Sequence, residues 1–321
     1  MPPNSRPPGV QAILDDIANG IPFDSLEAVN QHLARRMQEY NAAPQPELGG
    51  LSPERMRQLL SGDWSSTGVL RVVNDVPLAL LQDVPLFEDA RTLLRFVAEQ
   101  APVKLTQIGN LTRLAVATLF PQLRTAVENL DETGIPDERV RNEDDLYWLP
   151  ILRHVLLFGK LLVKRKGLVI TKQGRELLDD TRAGSLYAEL IRTFFRVYDL
   201  RSMGADERHA GLQQTIAYTL YQLSRVKPEW TSAEELAARA WLESARDPML
   251  EWERQSGDLR YFTFRRRVLD PLAMFGVLER RRLPGKMPYL PRAEYRRTPL
   301  YGRVLRFGFG SGGRADPFLM R

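Results

Sequence analysis

The 321-residue chain has no cysteine and only three histidines, His32, His154 and His209. Without cysteine there is no disulfide, no thiolate nucleophile and no Cys-bearing zinc or iron–sulfur site. None of the histidines stands at metal-ligand spacing from a carboxylate or a second histidine, so neither a metal nor another cofactor is expected. His154, in an apolar stretch, reads as a hydrogen-bonded core residue. Also missing are a Gly-x-Ser-x-Gly elbow and a Gly-x-x-x-x-Gly-Lys-Ser/Thr loop, and no helical pattern follows the glycines of FGFGSGGR at 307–314. No apolar run reaches the roughly 18 to 20 residues that a membrane helix needs, and MPPNSRPPG lacks the apolar centre of a signal peptide. These absences lead to the expectation of a soluble, cytoplasmic protein that is not an enzyme and has no evident small-molecule or membrane partner.

What is present is an uneven charge. Residues 260–321 hold 15 Lys or Arg against four acids, a local net of +11, which leaves −6 for residues 1–259. Such asymmetry suits a surface directed at a polyanion, although a solvated basic face is the plainer reading of any charge run. With 43% hydrophobic residues the chain has enough apolar side chains for about two cores.

Helices are expected near 10–18 and 25–40, and in LSPERMRQLL Ser52 is placed to cap a helix, Pro53 to begin it and Gly62 to end it. Residues 69–73 (VLRVV) read as a strand. From Phe87 the order is helix, short strand (103–106), helix, polar loop, the apolar helix LYWLPILRHVLLFGK, and a hairpin LVKRKGLVI. Lys166 and Gly167 would take the turn, Gly167 through a positive φ. Thr171 then caps a helix over 175–180. From Gly211 the same order recurs and ends in MFGVLERRRLPGKMPYLPRAEYRRTPLYGRVL, in which Pro299 follows Thr298. Two copies about 110 residues apart make a structural duplication the economical reading. Between them, LYAELIRTFFRVYDL at 186–200 is spaced to pack one copy on the other or to form a dimer.

Each copy, over 87–181 and 206–307, resembles the winged-helix superfamily in element order and in the Thr…Gly step after a basic hairpin. More narrowly, GGLSPERMRQLL at 49–60 followed by VKLTQIGNLTRLAV at 103–116 is similar to a family of bacterial hypothetical proteins that carries no assigned activity. The fold class that follows is mainly α with small β-hairpins (α+β). It comprises a disordered start (1–9), an N-terminal helical extension and linker (10–85), a first winged-helix-like domain (86–185), a connecting helix (186–205), a second, basic one (206–307) and a flexible tail (308–321). The winged-helix resemblance implies that the third helix enters a major groove while the hairpin lies along phosphates or the minor groove.

The first copy suits that role poorly, because its third helix offers chiefly Arg153, His154 and Lys160 among large apolar residues. Its hairpin, Lys164, Arg165 and Lys166, forms a secondary wing able to touch phosphate. The second copy has Arg265, Arg266 and Arg267 near the expected start of its third helix, and Arg280, Arg281, Arg282, Lys286, Arg292, Arg296 and Arg297 along its wing. Three consecutive helical residues span about 200° of circumference, so at most two face one groove. In a strand, alternation separates Arg281 from Arg280 and Arg282. Duplex DNA is the expected partner, with a protein-docking adaptor or homodimer as the alternative, and an enzyme would require a pocket that gathers His154 or His209 with carboxylates.

Overall fold

The computed structural model describes residues 25–128, 139–203, 208–247, 259–283 and 292–309, together with Asp15 and Ala18. Expectations for residues 1–9, for most of 10–18, for Lys286 and for the tail beyond 309 lie outside these residues. The described chain is mainly α-helical with small antiparallel sheets, and it divides into two compact units, Met1–Ser61 and Gly62–Arg321.

The first unit holds α1 (Leu26–Ala42) and α2 (Pro53–Ser61). Ser25 and Ser52 cap them, accepting from the N–H groups of Ala28 at 3.1 Å and Arg55 at 3.3 Å.

The second unit begins with β1 (Leu70–Val72) and α3 (Pro85–Gln100). In α3 the apolar residues Leu86, Phe87, Ala90, Leu93, Leu94 and Val97 recur at helical spacing and are buried. Then come α4 (Arg113–Leu119), capped by Thr112, and α5 (Trp148–Phe158), in which Pro150 sits in the first turn and breaks nothing. The hairpin β2 (Leu162–Lys164) and β3 (Leu168–Ile170) is joined by an outer bridge from Val103 to Leu168, whose N–H groups and carbonyls exchange bonds of 3.0 and 2.8 Å. Gly167 does not have the positive φ expected of it. Its missing side chain serves close approach instead, since a Cβ would stand 2.6 Å from the Val103 carbonyl oxygen. The helix expected at 175–180 is α6 (Lys172–Leu177), started directly by Thr171.

After α7 (Ala183–Arg196) the order returns: α8 (Ala210–Gln214), α9 (Ile216–Arg225), β4 (Thr231–Ser232), α10 (Ala233–Ala240), α11 (Leu259–Phe264), a wide π turn (Arg265–Leu269), α12 (Asp270–Met274), β5 (Leu278–Leu283), β6 (Arg292–Arg297), α13 (Pro299–Val304) and β7 (Leu305–Phe307). The sheet order is β4-β6-β5, and Val103, β3 and β2 stand in the same order in the first half.

One junction is built twice. The Thr171 hydroxyl donates to the Lys160 carbonyl at 2.8 Å and its N–H to Leu161 at 3.0 Å, with Lys160 at φ +57°. The Thr298 hydroxyl donates to the Gly276 carbonyl at 2.7 Å and its N–H to Val277 at 3.1 Å, with Gly276 at φ +69°. The equivalence therefore runs Lys160 to Gly276, one residue off the aromatic-Gly alignment that the sequence suggests. Thr171 also accepts from the Gly174 N–H at 3.0 Å, whereas Thr298 makes no side-chain cap. Thr171→Val should accordingly cost about 1 to 2 kcal/mol. Thr298→Val should cost less, a ranking that urea unfolding of both variants checks.

Helix α7 carries the core shared by the two halves. Tyr187 meets Phe87 edge-on at 6.0 Å and Phe275 at 6.1 Å, and Phe194 meets Phe275 at 5.5 Å. The Tyr187 hydroxyl donates to the Phe275 carbonyl.

Candidate nucleic-acid interface

The hairpin β5–β6 has two faces of opposite character, because side chains alternate across a strand. Register pairs Leu278 with Arg297, Arg280 with Tyr295 and Arg282 with Ala293 on one face, and Glu279 with Arg296, Arg281 with Glu294 and Leu283 with Arg292 on the other.

The first face turns inward onto Asp270, which is 1% exposed. Asp270 accepts from the Tyr295 hydroxyl at 2.6 Å and from Arg280 at 3.0 Å, and its second oxygen lies 3.4 Å from Arg265. Burial pushes the Asp270 carboxyl up against the opposing pull of Arg265, and burial also lowers Arg280. The cations that share the site oppose that push towards the neutral acid. Arg280 and Arg265 are thus committed to the interior.

The opposite face is the more exposed. Arg281 donates to Glu294 at 2.7 Å, Arg296 pairs with Glu279, and both guanidiniums lie 4.6 Å from the Trp230 ring centroid. Arg292 and Arg282 are exposed at the far end of the hairpin. Arg297 is half-buried, 5.7 Å over the Tyr301 ring, and burial lowers its pKa.

The helix arginines lie elsewhere than the sequence suggests. They occupy the π turn in the middle of the helical stretch and not its start. Arg267 is 2% exposed and donates to the carbonyls of Arg208 at 2.6 Å and Arg201 at 3.4 Å. Arg266 stacks 3.9 Å over the Tyr147 ring and donates to the Met203 carbonyl at 3.3 Å. These side chains fasten the helix to Arg201, Met203 and Arg208.

In the first half Lys164, Arg165 and Lys166 are exposed at the hairpin tip, with no ion-pair partner among the described residues. The polar stretch upstream, which in sequence has no evident base within reach, does find one: Glu143, fully buried, pairs with Arg153 at 2.6 Å and accepts from the Leu111 N–H at 2.7 Å.

A cleft of about 490 Å³ runs beside α5, lined by Tyr147, Ile151, His154, Phe158 and Tyr198 with Asp144 and Asp199 at its edge. His154 makes no hydrogen bond to either carboxylate among the described residues; Asp144 accepts from Asn110 at 2.8 Å and Asp199 is held by Arg201 at 2.8 Å. Burial, aided by Arg153, holds the His154 imidazole below its usual range, so the ring is neutral at pH 7. His209 sits apart, its ring Nδ1 accepting from the Asp247 backbone N–H at 3.0 Å while the His209 backbone N–H donates to the Asp247 carboxylate at 2.6 Å. That exchange is a clamp between two chain segments. Among the described residues no cluster of three potential metal ligands forms, and no helix is long and apolar enough to cross a membrane.

Trp230 and Asp270 were not legible as site residues in the sequence. The first lies in EWTS just before a two-residue strand, and the second is one acid in a basic stretch. A signal existed for Asp270 alone, as one of two carboxylates, with Glu279, between RRR and RRR.

Residues 82–183 match the family model described as Y4jL N-terminal domain. The match takes in VKLTQIGNLTRLAV but not GGLSPERMRQLL, and it spans the first half from before α3 to the start of α7. No curated protein and no solved structure matches the chain.

Proposed function

We propose that the chain is a non-catalytic, cytoplasmic nucleic-acid-binding protein built from two winged-helix-like domains in tandem, which grips duplex DNA by its hairpins. The observation that carries this reading is the outward face of β5–β6, where Arg281, Arg292 and Arg296 gather with Trp230 beside the exposed Arg282. The glutamates on that face do not forbid it. Exposed Arg–Glu pairs are worth about 0 to 1 kcal/mol, so a phosphate with its own counterion release displaces the carboxylate at little cost. The arginine fork suits phosphate oxygens bidentately. The interior commitments of Arg265 and Arg267, with Arg266 stacked on Tyr147, argue against a helix-centred mode of contact, so recognition would rest on the backbone and would be only weakly selective for sequence. Lys164, Arg165 and Lys166 would supply a second contact.

The test is fluorescence anisotropy of a labelled duplex with the full chain and with Arg281→Gln/Arg296→Gln. Loss of two phosphate contacts should make the slope of log K against log salt shallower by about 1.8. An unchanged slope with unchanged affinity would remove the hairpin from the interface.

A second reading, protein docking, draws on the cleft beside α5, where Phe158 is 51% exposed and Val197, next to the cleft-lining Tyr198, is 56% exposed. It expects a stoichiometric, nuclease-resistant partner that Phe158→Asp releases.

A further inference from the structure

The ladder β1–β7 places two arginines where neither charge nor packing calls for them. Leu70 faces Phe307 and Val72 faces Leu305, and all four are buried. Between them Arg71 stands directly opposite Arg306, both exposed. The flanking bonds, Val73 N–H to Val304 at 2.8 Å and Gly308 N–H to Val69 at 2.9 Å, fix that register. They make Arg71 and Arg306 a hydrogen-bonded pair, with Cα atoms about 5.5 Å apart. Like charges set directly opposite in a sheet destabilise it. Among the described residues no carboxylate lies within ion-pair reach of either guanidinium. The exposed Arg71 side chain leans towards its partner strand, its Nη2 coming within 3.2 Å of where a Gly308 Cβ would be.

We infer that Arg71 and Arg306 form a phosphate clamp, a second contact for the nucleic-acid backbone distinct from the β5–β6 hairpin. The inference rests on the nucleic-acid reading and deepens it. Two adjacent forks present paired donors to the oxygens of one phosphodiester or of two neighbouring ones, and the bound anion removes the repulsion that the empty ladder bears. Thr298 and helix α13, six residues and about 9 Å long, separate the end of β6 from β7. The helix adds the exposed Arg303 on the way. A duplex lying on the hairpin would then continue past Arg303 onto the ladder. Charged residues also guard sheet edges against pairing with other chains. One arginine, or an Arg–Glu pair, would do that without the repulsion.

Two measurements separate these roles. Without nucleic acid, Arg71→Glu should raise the melting temperature above wild type by replacing repulsion with attraction, and Arg71→Glu/Arg306→Glu should fall back towards it. With a labelled 20-base-pair duplex, Arg71→Glu and the milder Arg306→Gln should each bind at least roughly fivefold more weakly at 0.15 M salt, with a salt slope shallower by about 1 per lost contact. If the wild-type chain binds the duplex while both variants keep its affinity and slope, the clamp is wrong and the hairpin reading stands. If the wild-type chain binds no duplex at low salt, the nucleic-acid reading fails and the clamp fails with it. A lower melting temperature for Arg71→Glu would also count against the clamp, because the pair would then not be held against repulsion.

Discussion

Replacing Asp270 by alanine should destabilise the second unit by about 3 to 5 kcal/mol, the cost of leaving buried cations without their counter-charge. The size follows from what the carboxylate does: it takes the Tyr295 hydroxyl, Arg280 and Arg265 onto two oxygens in a site 1% exposed. At about 2 to 4 °C per kcal/mol the melting temperature should drop by at least about 6 °C. The loss should be partly recovered in Asp270→Leu/Arg280→Met, because exchanging a buried charged pair for apolar residues is often neutral or better. A loss below about 1 kcal/mol in the alanine variant would mean that the arginines reach solvent, and the division of the hairpin into an inner and an outer face would not hold.

The second large effect is expected at Arg153. Its Nε donates to Glu143 at 2.6 Å and its Nη2 to the Asn110 side chain at 3.2 Å, and Glu143 in turn receives the Leu111 N–H. The side chains of Arg153 and Glu143 are 1% and 0% exposed, so Arg153→Leu strands a buried carboxylate and should also cost about 3 to 5 kcal/mol. Arg153→Leu/Glu143→Gln should restore part of that stability, since the amide still accepts the Leu111 N–H without a charge. Chemical denaturation of the single and double variants measures the coupling directly; simple additivity of the two changes would show that the pair is not an energetic unit.

Much of the local structure was legible because it depends on short-range chemistry. The helix near 25–40, the Ser52 cap, Pro53 at a helix start, the Thr171 cap and the helix that became α3 all follow from rules that need only a few neighbouring residues. The mainly α fold with small hairpins followed from the same signals. What failed depended on contacts distant in the chain. Gly167 is needed because Val103 comes close from some sixty residues upstream, which no turn rule encodes. Arg265 and Arg280 looked like surface cations because their counter-charge, Asp270, is a minority acid in a basic stretch, and burial is a property of packing rather than of composition. Alternation did correctly set Arg281 on the face opposite Arg280, but only the register with β6 revealed that Glu294 and Glu279 lie across from Arg281 and Arg296. The repeat was visible in element order, while its true offset, Lys160 with Gly276, needed backbone dihedrals. For the basic stretch, then, charge density indicated the region and the fold sorted its arginines into those buried in the interior and those at the surface.

The most direct test of the central claim is a salt series of duplex binding by the unmodified full chain. Arg281, Arg292 and Arg296 of the outward face together with the exposed Arg282 predict a slope of log K against log salt of about −3.6, growing to about −6 if Lys164, Arg165 and Lys166 also engage. No binding at 50 mM salt, or binding whose affinity is indifferent to salt, would contradict the account.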